Sequence, residues 1–541
     1  MKLRLAGAFA LAAAALSPAS AADRPPPRLI VAISVDQFSA DLFAQYRQHF
    51  TGGLRRLSEG VVFPSGYQSH NMTETCPGHS TILTGSRPAR TGIISNDWFD
   101  QNVARADKQV YCSEDPTAPG SSFKKYTVST HFLKVPALGD RMKAADPRSR
   151  SVAVAGKDRA AIMMGGYRPD QRWYWTGRRF EGGGTAPPAA AVAAVNADMA
   201  AVLASPVAPL PLPAQCQAQS RAVPVAGGGG PVGAGRLGRA ANDERGFRAS
   251  PQFDAATIAL ASALRREMKL GEGPASDILA IGLSATDYVG HTYGTEGAEM
   301  CLQLLALDQS LAGLFRDLDA SGVDYVVMLT ADHGGNDIPE REAEHAIPAS
   351  RAADVLSPGA MGKAIGARLG LSGPVLLGAA AFGDMYVAKA ITGRQRDRVL
   401  REALRAYRAH PQVAAVFTHA EIAAAPAPEG PPETWSLLQR ARASFDAERS
   451  GDFVVLLKPR VTPLFDTTHG YVATHGSPWD YDRRVPILFW RKGMAPFEQP
   501  LSVETVDIMP TLAALIGLRV PAGEIDGRCL DLDAGPASTC R

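Results

Sequence analysis

Apolar residues cluster in short runs at 29–35 (LIVAISV), 151–155 (SVAVA), 277–283 (DILAIGL), 324–330 (DYVVMLT), 453–457 (FVVLL) and 485–490 (VPILFW). The runs are largely continuous rather than alternating. That pattern predicts strands buried on both faces, as in a parallel sheet. Helical periodicity appears between them. Over 299–318, Met300, Leu304, Leu307, Leu311, Leu314 and Leu318 recur at alternating four- and three-residue spacing. The segment 503–516 reads as another helix, kinked or restarted at Pro510. Strand–helix alternation over this length predicts a doubly wound, mostly parallel α/β sheet. Two stretches break the pattern. Residues 181–239, with GGGTAPP and AGGGGPVGAGR, are expected to form a loop-rich insertion with one helix near 189–203. Residues 371–432 read as a second αβ segment that ends in APAPEGPP and forms a surface loop or cap.

The first 21 residues, MKLRLAGAFALAAAALSPASA, combine two basic residues, an apolar stretch and a small-residue end. This is the pattern of a secretory signal, and its apolar core is too short for a bilayer span. The expected organisation is a leader at 1–21 followed by one catalytic domain at 22–541 that carries the two insertions. Of 56 Lys and Arg residues, two (Lys2 and Arg4) lie in the leader, so 54 basic side chains face 54 acidic ones. That balance gives no support for a nucleic-acid or membrane partner. The expected protein is exported, periplasmic or secreted, and acts on small molecules, with a monomer favoured. In an oxidising compartment six cysteines suggest disulfides. Among 15 possible connectivities, Cys529 with Cys540 would tie down the carboxyl tail, and Cys76 with Cys112 would brace the loop beside Thr75.

Metal-favouring residues follow most of these strands. Asp36 comes after LIVAISV, Asp287 and His291 follow ILAIGLSAT, and Asp332 and His333 follow the 324–330 run. His475 precedes the 485–490 run, in a near-duplicated TTHGYVATHG where spacing cannot choose between it and His469. Parallel α/β sheets gather ligands at the carboxyl ends of their strands, so these positions are expected to converge. Asp287 and His291, four apart, share a face if helical. With Thr75 the donors suffice for two adjacent zinc ions. Thr75 precedes Pro77 and a helical STILTG run. Taken alone it reads as a helix N-cap, but a hydroxyl there also lies where backbone N–H groups favour an anion. Thr73, Ser80 and Thr81 are weaker nucleophile candidates. Lys157 and Arg159 in GKDR read either as a solvated charged turn or as donors to phosphate oxygens, and Asn96 in ISNDWFD either as a turn residue or as a third donor. Among the remaining histidines, His79 and His345 are the first to locate.

The motifs SVDQF, TETCPGHSTILTG, GIISNDWFD, GKDRAA, SATDYVGHTYG, TADHGG, THGSPWDYDRRVPILFW and TVDIMPTLAALIG run in order from about 28 to 518. Together they resemble the alkaline phosphatase superfamily, in particular its single-threonine, periplasmic monoesterase branch of sphingomonads and flavobacteria. The resemblance implies two zinc ions roughly 4 Å apart. One would be held by Asp287, His291 and His475, favouring His475 over His469. The other would take Asp36, Asp332, His333 and the Thr75 oxygen. It further implies that Thr75 is the nucleophile of a phospho-threonine pathway, that Lys157, Arg159 and Asn96 grip the phosphoryl oxygens, and that Lys157 stands where other alkaline phosphatases hold a magnesium ion. The serine-led version of GKDR expected in this branch is missing. A nucleotide pyrophosphatase/phosphodiesterase of the same superfamily is the main rival, normally without the Lys–Arg pair. A non-catalytic binding protein for phosphorylated ligands is a second. A sulfatase is disfavoured because Cys76 lacks the CxPxR pattern.

Overall fold

The computed structural model describes residues 25–540, so the expected leader lies outside the described residues. The main sheet is built from β1 (Leu29–Val35), β2 (Val61–Tyr67), β3 (Ser151–Ala155), β4 (Gln171–Trp175), β5 (Phe180–Gly183), β6 (Asp277–Leu283) and β7 (Tyr325–Thr330). A second sheet uses β8 (Gly383–Val387), β9 (Val413–Thr418) and β10 (Phe453–Leu457), and β11 (Arg484–Arg491) returns to the first. The main sheet runs β2–β11–β7–β1–β6–β3–β4–β5, with two-residue strands Phe497–Glu498 and Val503–Glu504 paired to β2. Its centre, β7–β1–β6–β3–β4, is parallel. β11 is antiparallel to both neighbours, and β5 is antiparallel to β4.

The reason is visible in β1. Leu29, Val31, Ile33 and Val35 enter one apolar cluster, while Ile30 and Ala32 enter the cluster on the opposite face. Helices cover the faces: α1 (Thr75–Ile82), α2 (Asp158–Gly165), α3 (Pro251–Glu267), α4 (Ala285–Tyr293), α5 (Ala298–Ala320) and α6 (Ile508–Leu515). α1 packs on α2.

Several expectations shift. The FVVLL run is not a strand of the parallel sheet. β10 is an inner strand of a four-stranded antiparallel sheet, ordered Leu376–Leu377, β8, β10, β9. It reads as continuously apolar because Phe453, Val455 and Leu457 pack into one cluster and Val454 and Leu456 into another. Residues 371–432 therefore fold with β10, together with helix Gly393–Ala409. The segment 503–516 divides into a short strand, a 3-10 turn (Thr505–Asp507) and α6. Pro510 lies in the first turn of α6, where its missing N–H leaves no intrahelical bond unmade, so it produces no kink. Within 181–239, the expected helix forms as Ala190–Ala204. The three disulfides are Cys76–Cys112, Cys216–Cys301 and Cys529–Cys540. The second ties this insertion to α5. Among the described residues no helix is long and apolar enough to cross a membrane.

Candidate metal centre

The strand ends converge. Asp36 directly follows β1, Lys157 is two residues beyond β3, Asp287 lies on α4 after β6, and Asp332 and His333 follow β7. Asp36, Asp332 and His333 are fully buried, and one donor atom of each lies within 4.8 Å of the others. Asp287, His291 and His475 form a second such group. Asp287 and His291 meet across one turn of α4, with His291 Nε2 3.2 Å from Asp287 Oδ1. His475 reaches the same oxygen at 3.3 Å from the loop before β11. The two groups touch: the His333 and His475 rings stack with centroids 3.6 Å apart. His469 is a bystander, almost wholly exposed beside Asp466.

Each imidazole is oriented by a backbone carbonyl. Nδ1 of His291, His333 and His475 faces the oxygens of Ala473, Gly334 and Thr73 respectively, each at 2.8 Å. A carbonyl can only accept, so Nδ1 carries a proton in each ring, and Nε2 is the atom turned toward the carboxylates. His333 Nε2 lies 3.3 Å from Asp36 Oδ1 and 3.4 Å from Asp332 Oδ2. Asp36 Oδ1, Asp332 Oδ2 and His333 Nε2 are buried without a hydrogen-bond partner. Facing acceptors with no proton between them are costly when buried, and a cation satisfies them all. The residues therefore fit divalent metal ions.

The electrostatics agree. Burial, then repulsion from Asp287 and Asp332, raises the pKa of Asp36. Burial opposes ionisation of Asp287 and Asp332 too, but His291 with Lys157, and His333 with His79, outweigh it and hold both carboxyls below their usual range. Burial works against a charged His333, yet Asp332 and Asp36 lift it to about 9. Burial and the neighbouring His333 depress His475 to about 3. Two stacked imidazoles do not both carry a positive charge.

Thr75 sits beside these groups as the first residue of α1, 1% exposed. The N-cap is Glu74, not Thr75, and makes no side-chain cap bond. Its carboxylate instead accepts from Asn96 N at 2.7 Å. Asn96 Oδ1 in turn accepts from Cys76 N at 2.8 Å, which leaves Nδ2 as the amide's donor. Lys157 Nζ and Arg159 both donate to Thr75 Oγ1 at 3.4 Å. Lys157 also lies 2.5 Å from Asp287 Oδ2 and 2.5 Å from Asp36 Oδ2, off the hydrogen-bond direction in the second case. Burial disfavours its charge, but Asp287 and Asp36 outweigh that and raise its pKa. Arg159 is held by Tyr111 Oη at 3.1 Å, and Tyr111 and Tyr126 both donate to Asp158, at 2.7 and 2.8 Å. The other hydroxyl candidates bond backbone carbonyls: Thr73 to Ser477, Ser80 to Pro77, and Thr81 to Gly78. His79 lies behind the centre, its Nδ1 2.9 Å from Thr75 O and 3.1 Å from Asp332 Oδ2. His345 is exposed and takes no part.

Gln37 escaped the sequence reading. Its φ is +66°, a left-handed backbone that non-glycine residues rarely adopt. From there its N–H donates to Asp332 Oδ1 at 3.1 Å and its Nε2 to Asp287 Oδ1 at 3.2 Å, joining the two donor groups. Gly290 and Gly335 make room: a Cβ on Gly290 would lie 1.6 Å from Gln37 Oε1, and one on Gly335 2.8 Å from Gln37 Cγ. A positive φ leaves no trace in the letters Asp-Gln.

Fold and site together define a class: an α/β protein with donors for two adjacent metals and a hydroxyl flanked by cations. A family model described as type I phosphodiesterase / nucleotide pyrophosphatase matches residues 30–478. The chain is 58% identical over 523 residues to the alkaline phosphatase PhoK of Sphingomonas sp, covering 95% of this chain and 93% of that one. It is 49% identical to the alkaline phosphatase PhoD of Zymomonas mobilis, with 95% and 89% covered. The crystal structure of wild-type alkaline phosphatase PafA superposes with a TM-score of 0.81 at 24% identity, covering 95% of this chain and all of that one, which supports the fold. The chain belongs to the alkaline phosphatase superfamily, in the branch of PhoK, PhoD and PafA. Membership and the two donor groups point to metal dependence.

Proposed function

We propose that the protein is a zinc-dependent alkaline phosphatase that hydrolyses phosphate monoesters through a phospho-threonine at Thr75. The observation that carries this reading is the meeting of a buried helix-terminal hydroxyl with Lys157, Arg159 and both donor groups. One zinc ion would be held by Asp287, His291 and His475, and a second by Asp36, Asp332, His333 and the Thr75 oxygen. Bound metals supply Lewis-acid charge that favours an ionised hydroxyl and stabilises both the entering and the leaving oxygen.

The side chains do the rest. Lys157 and Arg159 are protonated and can only donate, so they hold the ionised Thr75 Oγ1 rather than take its proton. The amino end of α1 adds its dipole to the same effect. Arg159, oriented by Tyr111, offers a two-pronged grip on the phosphoryl oxygens, Lys157 a compact charge, and Asn96 a neutral donor through Nδ2. Thr75 displaces the alcohol in line, and water then displaces Thr75 from phosphorus. A monoester dianion carries one more charge than a diester, and the Lys157–Arg159 pair compensates that charge.

The matched family's description favours a diesterase as the second reading. The ratio of kcat/KM for 4-nitrophenyl phosphate to that for bis(4-nitrophenyl) phosphate decides between them. A large excess for the monoester supports the proposal, and an excess for the diester overturns it. Three disulfides fit an oxidising compartment. With the amino-terminal pattern of the sequence, they support export after cleavage near Ala21. Mass analysis of the protein from culture fractions tests this.

A further inference from the structure

Beside the Asp287 group stand two arginines to which the proposed chemistry assigns no role. Helix Glu244–Arg248 carries Arg245 and Arg248, three residues apart and hence on one side. Arg248 Cζ lies 4.8 Å from the Tyr288 ring centroid, and its NH1 donates to Tyr288 Oη at 3.4 Å. Its Nε is buried with no partner. Lys157 Nζ lies 5.1 Å from the centroid of the same ring, so ammonium and guanidinium are separated by at most about 10 Å with one tyrosine between them. Arg245 Cζ lies 4.8 Å from the Tyr471 ring, which itself packs on His291 at 4.9 Å. The two tyrosines thus carry both guanidinium groups to the rim of the centre.

Neither arginine has a carboxylate within ion-pair distance among the described residues. The nearby acids are committed elsewhere: Glu244 pairs with Arg178, and Asp243 caps the helix through Gly246 N. Arg245 NH1 donates to the His469 carbonyl oxygen and Arg248 NH1 to Tyr288 Oη, which leaves the NH2 side of each guanidinium, stacked on its aromatic face, to donate to an anion. Two guanidinium charges without a carboxylate partner beside the Asp287 group also raise the local concentration of anions.

We propose that Arg245 and Arg248 form a second anion subsite that takes a phosphate carried on the leaving group, making short-linker bisphosphorylated esters a preferred substrate class. The inference rests on the proposed function: with the Thr75 oxygen on the Asp36 side, in-line displacement leaves the Asp287 side to the departing alcohol. The reaction is unchanged in kind. Water and the bisphosphate give inorganic phosphate and an alcohol that keeps its remaining phosphate in the subsite.

The test compares propane-1,3-diol bisphosphate with n-propyl phosphate, scoring release of the first phosphate in the intact protein. The wild type should prefer the bisphosphate by about tenfold in kcat/KM, mostly through KM, and the preference should shrink with added salt. Arg248→Gln should remove most of that ratio, and the Arg245→Gln/Arg248→Gln double variant should bring it to about one. Because the readout is a ratio within each variant, a general loss of activity cancels. Equal rates for the two substrates in the wild type, or a preference retained in the double variant, would overturn the proposal. A wild type that turns over no phosphate monoester brings down the functional reading itself, which separates the two failures.

Discussion

The two donor groups are built differently. Asp36, Asp332 and His333 come from the ends of the adjacent central strands β1 and β7, and none is exposed. The sheet itself fixes their separation. Asp287, His291 and His475 come from one helix and one loop, with His291 partly exposed. The loop is secured by backbone bonds from Val472 and Ala473 to His291 O and by the His475–Thr73 contact. One group is thus fully enclosed in the core, and the other reaches solvent through His291. The inner group suits a retained ion that orients Thr75, and the outer a site that leaving groups and water must reach.

The largest expected effect spares both groups. Thr75→Ala should lower turnover by about 10⁴-fold or more while most of the metal stays bound, read by initial rates and elemental analysis. If the variant retains turnover, Thr75 is not the nucleophile.

Breaking one group at a time sharpens the contrast. Asp332→Asn and His291→Asn should each cost more than the roughly hundredfold typical of residues one layer removed from a metal. Excess zinc should restore much of the His291→Asn activity, because the outer group is accessible, and little of the Asp332→Asn activity. Equal rescue of both would contradict the inner–outer distinction.

Loosening the bracket around Thr75 should have a smaller effect. Cys112→Ser opens a bridge across 36 residues, for which loop entropy predicts about 4 kcal/mol of lost stability in denaturant titration. Cys76 N also binds Asn96, so activity should fall further than folded fraction alone explains.

Gln37→Gly gives the smallest and most diagnostic change. It relieves a left-handed non-glycine backbone, so Tm should hold or rise, with at most about 1 kcal/mol gained. It also removes the amide that links Asp287 to the Asp332 side, so kcat/KM should fall about tenfold. A parallel fall in Tm would mean that the side chain serves packing alone.

Much of this was legible in the chain. Runs such as LIVAISV announced the central strands, and the Asp and His residues beyond them announced the centre, because parallel topology brings strand ends together whatever their sequence separation. Spacing alone could not separate His475 from His469. The resemblance favoured His475, and the loop geometry places it in the Asp287 group: His475 is turned inward by Thr73 O, while His469 points to solvent. Cys76–Cys112 and Cys529–Cys540 paired as expected. The FVVLL run misled because continuous apolarity reports burial on two faces and not strand direction, and β10 is buried between two clusters of a separate antiparallel sheet. At Pro510 the restart held and the kink did not: the helix begins at Ile508, and a proline is tolerated in a first turn. Gln37, Arg245 and Arg248 were invisible for another reason: a positive φ and an uncompensated charge exist only once distant segments have met.

The central claim is that the seven donors hold two neighbouring metal ions. Anomalous-difference maps from crystals of the zinc-loaded protein, collected on both sides of the zinc edge, test it most directly. The account predicts two zinc peaks roughly 4 Å apart, one among Asp36, Asp332 and His333 beside Thr75, the other among Asp287, His291 and His475. A single peak, or peaks bound by other side chains, would contradict it.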